Sequence, residues 1–293
     1  MAEVRAKKAL GQHFLTDLSI ARRIAWAFLT DSASSRESAD FDAAVTEKMA
    51  DEAKNENGKY DVLEVGPGMG VLTQYMLERE DIELKMVEID RESVDYLLVN
   101  FPQVNGSLIE ADFLKMNLEH FFSGKFCVIG NFPYNISSQI FFKILDYKEA
   151  VPQVVCMIQK EVAERIAEKP GSKTYGILSV LLQAWYDIDY LFTVGEGAFN
   201  PPPKVKSAVI RLVRNTRQDL GCDESLFKAI VKTGFNQRRK TLRNSLRPII
   251  RSKAERLGWN EEEIAAFSSD PIFDLRPERL SVEDFIALAL KLA

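Results

Sequence analysis

The stretch YDVLEVGPGMG, residues 60–70 of this 293-residue chain, joins a strand pattern to a turn rich in glycine. Its first half is an apolar run suited to a buried strand, and its second half carries Gly66, Gly68 and Gly70. Glycine tolerates positive φ angles and lets a ligand approach the backbone closely. In dinucleotide-binding folds such a turn presents a helix N-terminus to a pyrophosphate. The spacing here is GxGxG rather than GxGxxG, so the turn alone fits either a cofactor site or an ordinary connection.

Short apolar strands and amphipathic helices alternate from Tyr60 to about Val213. Strands are predicted at 60–66, 84–90, 107–112, 126–131 and 152–159, and IDYLFTV and SAVIRLV are predicted to close the sheet. This alternation predicts an α/β fold with a doubly wound sheet and parallel neighbours. After Arg214 only helical patterns follow, and Ser281 with Asp284 is predicted to cap the last helix. We therefore predict a Rossmann-like domain over residues 1–213 and a small helical domain over residues 214–293.

Charge is unevenly distributed along the chain, whose formal net charge is −5. Residues 31–58 are acidic and polar, which predicts a mobile, partly helical insertion. Residues 226–254 contain nine Lys or Arg and no Asp or Glu. Such a run fits either a solvated helix face or a surface that contacts nucleic-acid phosphates.

The composition argues against several classes of protein. Three separated cysteines and two histidines show no metal-ligand spacing, so no metal site is predicted. The N-terminus lacks the apolar core of a secretory signal, and no apolar run approaches the roughly 20 residues of a membrane span. A cytoplasmic protein without a membrane partner is the default expectation.

Acidic residues follow the second and third predicted strands. Glu88 lies 22 residues after Gly66, where a carboxylate suits the hydroxyls of a ribose, and Asp112 is placed to accept from an adenine amino group. Each alone is equally a solvated residue at a strand end. Together with the glycine turn they predict a nucleoside pocket along one sheet edge. A cofactor without a pyrophosphate fits the GxGxG spacing, and S-adenosylmethionine is the natural candidate.

NFPYN, residues 131–135, follows the fourth strand and reaches the same edge. An Asn before an X-Pro step fits a plain turn. Beside a nucleoside pocket it has a chemical interpretation: the Asn131 side-chain oxygen and the Pro133 carbonyl would accept from an adenine amine, and Tyr134 would stack on the base. Glu64 has two open interpretations, orienting the amino group of a methionine moiety or capping the glycine turn.

Nine motifs in this order resemble the small-subunit ribosomal RNA adenine dimethyltransferase family (KsgA/RsmA). They are GQHFL, EVGPGMG, VEID, EADF, NFPYNIS, QKEVAERI, SKTYGILSVL, AFNPPPKVKSAV and FNQRRKTLRNSL. The resemblance runs from about Lys7 to the C-terminus and skips residues 31–58. It implies a class I methyltransferase sheet and N6,N6-dimethylation of two adjacent adenosines in the 3′-terminal hairpin loop of 16S rRNA. The implied partner is this RNA within the immature 30S subunit, and a monomer acting in ribosome biogenesis is expected.

The family's site residues carry over by motif. The implied cofactor contacts are His13, Leu15, Gly66, Glu88, Asp112 and Asn131; the implied base contacts are Asn131, Pro133, Tyr134 and, as a second stacking wall, Phe199. The predicted RNA contacts are Lys204, Lys206, Arg238, Arg239, Lys240 and Arg243. The family often has Asn at His13 and Leu at Phe132, and the sequence assigns the Phe132 side chain to neither base nor core.

Two other functions remain open from the sequence. One is the macrolide-resistance type of 23S rRNA adenine methyltransferase, which FNQRRKTLRNSL and the longer helical tail disfavour. The other is a non-catalytic nucleic-acid-binding factor on the same fold, which the intact NFPYN motif and glycine turn disfavour.

Overall fold

A computed structural model describes residue 7, residues 10–28 and residues 54–293. The predicted insertion lies outside the described residues except for 54–58, where Lys54 bridges to Tyr60 across a turn. No helix of the described part is long and apolar enough to cross a membrane. Nor does any cluster of three or more metal-ligating side chains occur there.

The chain divides into two compact units, Met1–Ala163 with Asp187–Arg214 and Glu164–Tyr186 with Asn215–Ala293. The segment Glu164–Tyr186 therefore belongs to the second unit, whereas the sequence pattern assigns it to the first. Its helix contacts a helix of the second unit and buries Leu178, Val180 and Leu182. Local alternation of strand and helix patterns carries no information on this packing.

The first unit is built on a seven-stranded sheet. Its strands are β2 (Tyr60–Val65), β3 (Ile82–Glu88), β4 (Leu108–Glu110), β5 (Cys127–Asn131), β6 (Gln153–Gln159), β7 (Tyr186–Val194) and β9 (Ser207–Arg214), in the order β4-β3-β2-β5-β6-β9-β7. The pairs from β4 to β6 are parallel and β9 is antiparallel to β6. This confirms the predicted α/β sheet. A separate ribbon pairs β1 (Phe14–Leu15) with β8 (Phe199–Asn200).

Helices cover the sheet of the first unit. They are α1 (Leu18–Trp26), α2 (Thr73–Leu77), α3 (Arg91–Asn100), α4 (Ser137–Asp146) and α5 (Lys160–Ala167), the last of which crosses the boundary between the units. Asp17 caps α1 by accepting from the N–H groups of Ser19 and Ile20. The central strands are apolar on both faces because parallel sheets are buried on both sides; Val62, Leu63 and Val128, for example, are fully buried.

The second unit is helical. It contains α6 (Ile177–Gln183), α7 (Glu224–Asn236), α8 (Leu242–Ser245), α9 (Arg247–Leu257), α10 (Glu261–Ser268) and α11 (Val282–Leu292). The single helix predicted around RKTLRNSLRPII is instead two, because α9 begins afresh at Arg247 with Pro248 in its first turn. The predicted cap of the last helix is present: Asp284 N–H donates to the Ser281 hydroxyl oxygen at 3.1 Å.

Candidate active site

A cavity of about 330 Å³ lies at the carboxyl ends of β2, β3 and β5. This size falls within the roughly 300–1,000 Å³ of small-molecule sites. The strands β2 and β5 are sheet neighbours although β3 and β4 come between them in the chain. Open α/β sheets bind ligands at such a switch point. The N-terminal segment 10–15 forms a further wall of the cavity.

The turn after β2 needs glycine for two reasons. Gly66 has a φ of +70°, and a Cβ added there would meet no atom within 4 Å. Gly70 has a φ of +76°, and a Cβ there would lie 2.5 Å from the Phe101 ring. The turn is therefore closely packed at Gly70 and open beside Gly66, where the cavity lies.

Glu88 is a buried carboxylate fixed by the backbone. Its Oε1 accepts from the N–H groups of Ile89 and Asp90, both at 2.9 Å, and its Oε2 accepts from Gly68 N–H at 3.1 Å. Burial raises the pKa of this carboxyl in spite of those hydrogen bonds. A carboxylate has about four acceptor sites, so Oε2 keeps one for a ligand hydroxyl. The arrangement fits the predicted ribose contact.

Glu64 lies deeper and is only 1% exposed. The Thr73 hydroxyl donates to its Oε2 at 2.8 Å, which ties the end of β2 to the start of α2. Burial raises the pKa of Glu64 to about 8, the Thr73 hydrogen bond opposes the rise and the nearby Glu88 adds to it. The carboxyl is therefore mostly protonated at neutral pH. It also lines the cavity, so both interpretations of Glu64 have a structural basis.

Asp112 lines the cavity with Phe113 and Leu114. Its Oδ1 accepts from Leu114 N–H at 3.0 Å, and its Oδ2 lies 3.3 Å from Lys115 Nζ. The same loop is tied to α4, since Lys143 Nζ donates to the Leu114 carbonyl at 3.1 Å. The loop is thus fixed from both sides, and a carboxylate oxygen remains available for an adenine amino group.

Asn131 ends β5 with a defined amide orientation. Its Nδ2 donates to the His13 carbonyl at 3.1 Å. Because the His13 carbonyl can only accept, the Asn131 atom that faces it must be Nδ2, and Asn131 Oδ1 points away from it. No described residue donates a hydrogen bond to Oδ1. The Pro133 carbonyl oxygen accepts from Ile136 N–H at 3.2 Å, and its second lone pair can accept from another donor. Both predicted acceptors of an adenine amine are therefore available at the cavity wall.

Tyr134 is held at its hydroxyl and at one ring face. Its hydroxyl pairs with the Ser207 hydroxyl at 2.5 Å, and its ring stacks on His13 with centroids 5.3 Å apart. Burial raises the pKa of the Tyr134 phenol. Phe132, by contrast, is fully buried and meets Phe141 edge-on at 5.9 Å. The structure therefore assigns Phe132 to the core beneath the motif.

The ribbon of β1 and β8 holds two further predicted residues. Leu15 pairs with Phe199 across the ribbon, and each is 4% exposed. Leu15 lines the cavity, but Phe199 packs in the core and is absent from the cavity wall. The role of Phe199 as a second stacking wall therefore stays a prediction.

Some of the predicted RNA contacts already pair with other residues of the chain, and others do not. Lys204 and Lys206 are exposed, and neither forms an ion pair with a described residue. Arg238 instead donates to the Ser172 carbonyl at 3.3 Å and lies 3.9 Å from Glu278.

Arg243 lies 2.8 Å from Asp274. The basic run lacks acidic partners in sequence, but acidic residues some 30 to 40 positions later supply them in space. Arg239 and Lys240 are exposed, and neither side chain forms an ion pair within the described ranges.

Two residues that shape the site, Gly130 and Ser207, are not among those predicted from the sequence. A Cβ on Gly130 would lie 2.5 Å from the Val65 carbonyl oxygen, so β5 approaches β2 too closely there for any other residue. A glycine inside a strand is the signal that indicates such an approach. Ser207 is fully buried and its hydroxyl reaches Tyr134; its signal is a hydroxyl directly before the apolar run Ala208–Ile210.

Comparison with known proteins gives full-length matches. The model of the family described as Ribosomal RNA adenine dimethylase matches residues 3–267. A Parabacteroides distasonis protein named Ribosomal RNA small subunit methyltransferase A is 57% identical over 99% of this chain and 95% of its own. A Phocaeicola vulgatus protein of the same name is 54% identical over 98% of this chain and 90% of its own.

Two solved structures share the fold. A dimethyladenosine transferase from Plasmodium falciparum covers 96% of each chain with a TM-score of 0.69 at 22% identity. The 23S rRNA methyltransferase ErmE covers 95% of this chain and 99% of its own with a TM-score of 0.60 at 20% identity. At these identities the likeness describes the fold alone.

Proposed function

Because the chain belongs to the ribosomal RNA adenine dimethylase family, we propose that it dimethylates N6 of two adjacent adenosines in the 3′-terminal hairpin loop of 16S rRNA. Membership of this family confirms the resemblance predicted from the nine sequence motifs. The chain is an S-adenosylmethionine-dependent enzyme that dimethylates adenine in ribosomal RNA. The finer proposal is that the substrate is the immature 30S subunit and that a monomer acts in the cytoplasm during ribosome biogenesis.

One observation carries the choice of small-subunit RNA. The relatives of 50–57% identity, each matched over nearly the whole of this chain, are all named for the small subunit. The alternative with 23S rRNA rests on a structural likeness at 20% identity, which bears on the fold only. We therefore place the substrate in the small subunit.

The proposed chemistry needs a nitrogen with its lone pair free. An adenine amine is a poor nucleophile because its lone pair is delocalised into the ring. Hydrogen bonds from its two hydrogens to Asn131 Oδ1 and the Pro133 carbonyl would favour a pyramidal nitrogen. S-adenosylmethionine, held by Glu88 and Asp112, would supply an electrophilic methyl group on a sulfonium, whose C–S bond would break as the N–C bond forms. The amine then releases a proton to solvent.

No strong base is required before transfer, so the rate depends mainly on aligning the adenine nitrogen with the methyl group. We propose that the target base leaves its stack and lies on Tyr134, whose ring is fixed by Ser207 and His13. Glu88 and Asp112 would hold the ribose and adenine of the cofactor, with Leu15, His13 and Gly66 completing its walls. A stacking role for Phe199 would require its ring to leave the core.

The RNA contacts are proposed from charge and exposure. Lys204 and Lys206 would reach phosphates beside the target base. In the helical unit, Arg239 and Lys240 are open to phosphates, whereas Arg238 and Arg243 would first have to exchange their acidic partners. We propose this unit as the part of the chain that contacts the ribosomal particle.

A methyl-transfer assay tests the proposal. Labelled S-adenosylmethionine is supplied with undermethylated 30S particles, naked 16S rRNA, 50S particles or 23S rRNA. Transfer is expected in the 30S arm at two adjacent adenosines, mapped by primer-extension stops. Transfer confined to 50S particles or 23S rRNA would contradict the proposal and identify a 23S rRNA adenine methyltransferase of the macrolide-resistance type. Particle binding without transfer in any arm would identify a non-catalytic factor.

A further inference from the structure

One residue, Leu114, connects the carboxylate of Asp112 with the helix α4. Its N–H donates to Asp112 Oδ1 at 3.0 Å and so orients the carboxylate. Its carbonyl accepts from Lys143 Nζ at 3.1 Å. The direction of the Asp112 carboxylate therefore depends on Lys143 through a single residue of the loop.

Lys143 holds this loop at more than one point. Its Nζ also donates to the Met116 carbonyl at 2.5 Å, so two carbonyls of the loop converge on one ammonium group. The ammonium lies 5.6 Å from the centre of the Phe113 ring and 5.7 Å from that of the Tyr147 ring. Both distances are within the range of cation–π attraction. The side chain is therefore fixed between the loop and its own helix.

The part of the loop around Leu114 is a wall between two open spaces. Leu114 lines the cofactor cavity on one side and a surface groove of about 570 Å³ on the other. Phe113 and Met116 are buried, whereas Leu114 is only half buried. Core packing therefore holds the residues on either side, and the Leu114 peptide relies on its polar contacts.

Tyr147 follows the last residue of α4 and fixes the far end of the loop. Its hydroxyl accepts from Leu118 N–H at 3.3 Å and donates to Asn117 Oδ1 at 3.3 Å. Tyr147 lies four residues after Lys143, and residues at this spacing share one face of a helix. One face of α4 therefore holds the loop 112–118 along its length.

The other end of α4 begins at the base-binding motif. Ile136 N–H donates to the Pro133 carbonyl, and the Ser137 hydroxyl donates to the Tyr134 carbonyl at 3.3 Å. At about 1.5 Å per helical residue, Lys143 lies about 9 Å along the axis from Ser137. The loop of the cofactor site and the motif proposed to hold the target adenine are thus mounted on the same helix.

A plainer interpretation treats Lys143 as a surface lysine with incidental contacts. Lys143 forms no ion pair with any residue that the structure describes, so its donors are directed at backbone carbonyls. Burial lowers the pKa of Lys143, and the charges of Asp146 and Asp112 oppose the fall. Fixing a long side chain costs conformational entropy, and removing its charge from water costs more. The two carbonyls and two rings offset these costs, which an incidental contact would not do.

We propose that Lys143 is a positioning residue that makes the cofactor site selective for adenine. It holds the Leu114 peptide, whose N–H directs the Asp112 carboxylate at the adenine amino group. The inference rests on the proposed contact of Asp112 with the cofactor. A hydrogen bond to a charged group distinguishes a ligand from one that lacks the donor by about 10- to 100-fold. Without Lys143 the peptide is free to rotate, and the carboxylate loses its direction although it stays in the chain.

Two ligands that differ in the purine group facing Asp112 test this role. S-adenosylhomocysteine carries the amino group, and S-inosylhomocysteine carries a carbonyl oxygen in its place. Their dissociation constants are measured by calorimetry without RNA, so the result does not depend on methyl transfer. Lys143→Met keeps the length of the side chain and removes its charge and its donors.

Lys115→Met is the matched control. Lys115 Nζ lies 3.3 Å from Asp112 Oδ2, but its side chain is 85% exposed. This variant therefore removes a cation beside the same carboxylate and leaves the loop carbonyls in place. Tyr147→Phe is a second variant on the other side of the loop, since it loses the hydroxyl contacts with Leu118 and Asn117.

The parent should prefer the amino ligand by about tenfold or more. Lys143→Met should lower this preference at least about threefold, because only the amino ligand loses a hydrogen bond. Tyr147→Phe should lower it in the same direction by less, which keeps the inference testable when Lys143→Met does not fold. Lys115→Met should change it by less than about twofold, since exposed ion pairs contribute little. Adding Lys143→Met to Asp112→Ala should have no further effect on the preference, because both remove the same contact.

Three results overturn the inference: an unchanged preference in Lys143→Met, equal weakening of both ligands in that variant, or an equal fall in Lys115→Met. A parent that binds both ligands alike would instead refute the proposed contact of Asp112. A parent that binds neither would refute the cofactor site itself.

Discussion

Glu64→Gln should change how the stability of the first unit depends on pH. Burial raises the pKa of Glu64 from 4.5 to about 8, so the folded state keeps a proton that the unfolded state has lost. Between these values the native state binds more protons than the unfolded state, and stability falls as pH rises. The slope is about 1.4 kcal/mol per pH unit, and the whole range amounts to about 5 kcal/mol. Glutamine keeps the shape and an acceptor for the Thr73 hydroxyl but cannot ionise.

Hydrogen exchange in increasing urea is the appropriate assay, because it follows peptides of β2 and so reports the first unit separately from the second. Between pH 5.5 and 7.5 the parent should lose about 2.5 kcal/mol more stability than Glu64→Gln, because the slope falls as pH approaches 8. Glu80→Gln, an exposed carboxylate on the same unit, should track the parent. Parallel pH profiles for the parent and Glu64→Gln would show that Glu64 is already ionised in the folded protein and would contradict its raised pKa.

Further predictions concern the cofactor and base sites. S-adenosylmethionine is a cation and should favour ionised Glu64, so calorimetric affinity should rise with pH from 7 towards 9 in the parent and stay flat in Glu64→Gln. Lys143→Met should weaken cofactor binding several-fold and leave the saturated rate unchanged, because Lys143 holds the Asp112 loop through the Leu114 carbonyl; a changed rate with unchanged affinity would contradict this. Gly130→Ala should slow single-turnover transfer about 10²-fold, since its Cβ must displace the strand end that carries Asn131. Ser207→Ala and Tyr134→Phe should each slow transfer several-fold, and a double-mutant cycle should find them non-additive.

Much of the first unit follows from sequence because its signals are local. The apolar runs around Val62 and Val128, bounded by Gly66 and Asn131, fix two strands whose carboxyl ends carry the cavity. Parallel pairing then brings Glu88 to the same edge, which confirms the sheet prediction. The amide orientation of Asn131 does not follow, because it depends on a carbonyl 118 positions away.

The remaining differences have the same physical origin. The Glu164–Tyr186 segment joins the helical unit through packing that no local pattern records. Arg238 and Arg243 find acidic partners late in the chain. Each outcome is set by contacts between residues distant in sequence, whereas composition and periodicity report only on near neighbours.

The role of Asn131 in methyl transfer is tested by comparing the parent with Asn131→Ala on undermethylated 30S particles at saturating S-adenosylmethionine. Methyl incorporation and primer-extension stops are measured together with particle binding and cofactor affinity. We expect two methyl groups on each of two adjacent 16S adenosines for the parent, and no transfer by Asn131→Ala with particle binding largely intact. Undiminished transfer by Asn131→Ala would contradict the assignment of Asn131 Oδ1 as an acceptor of the reacting amine.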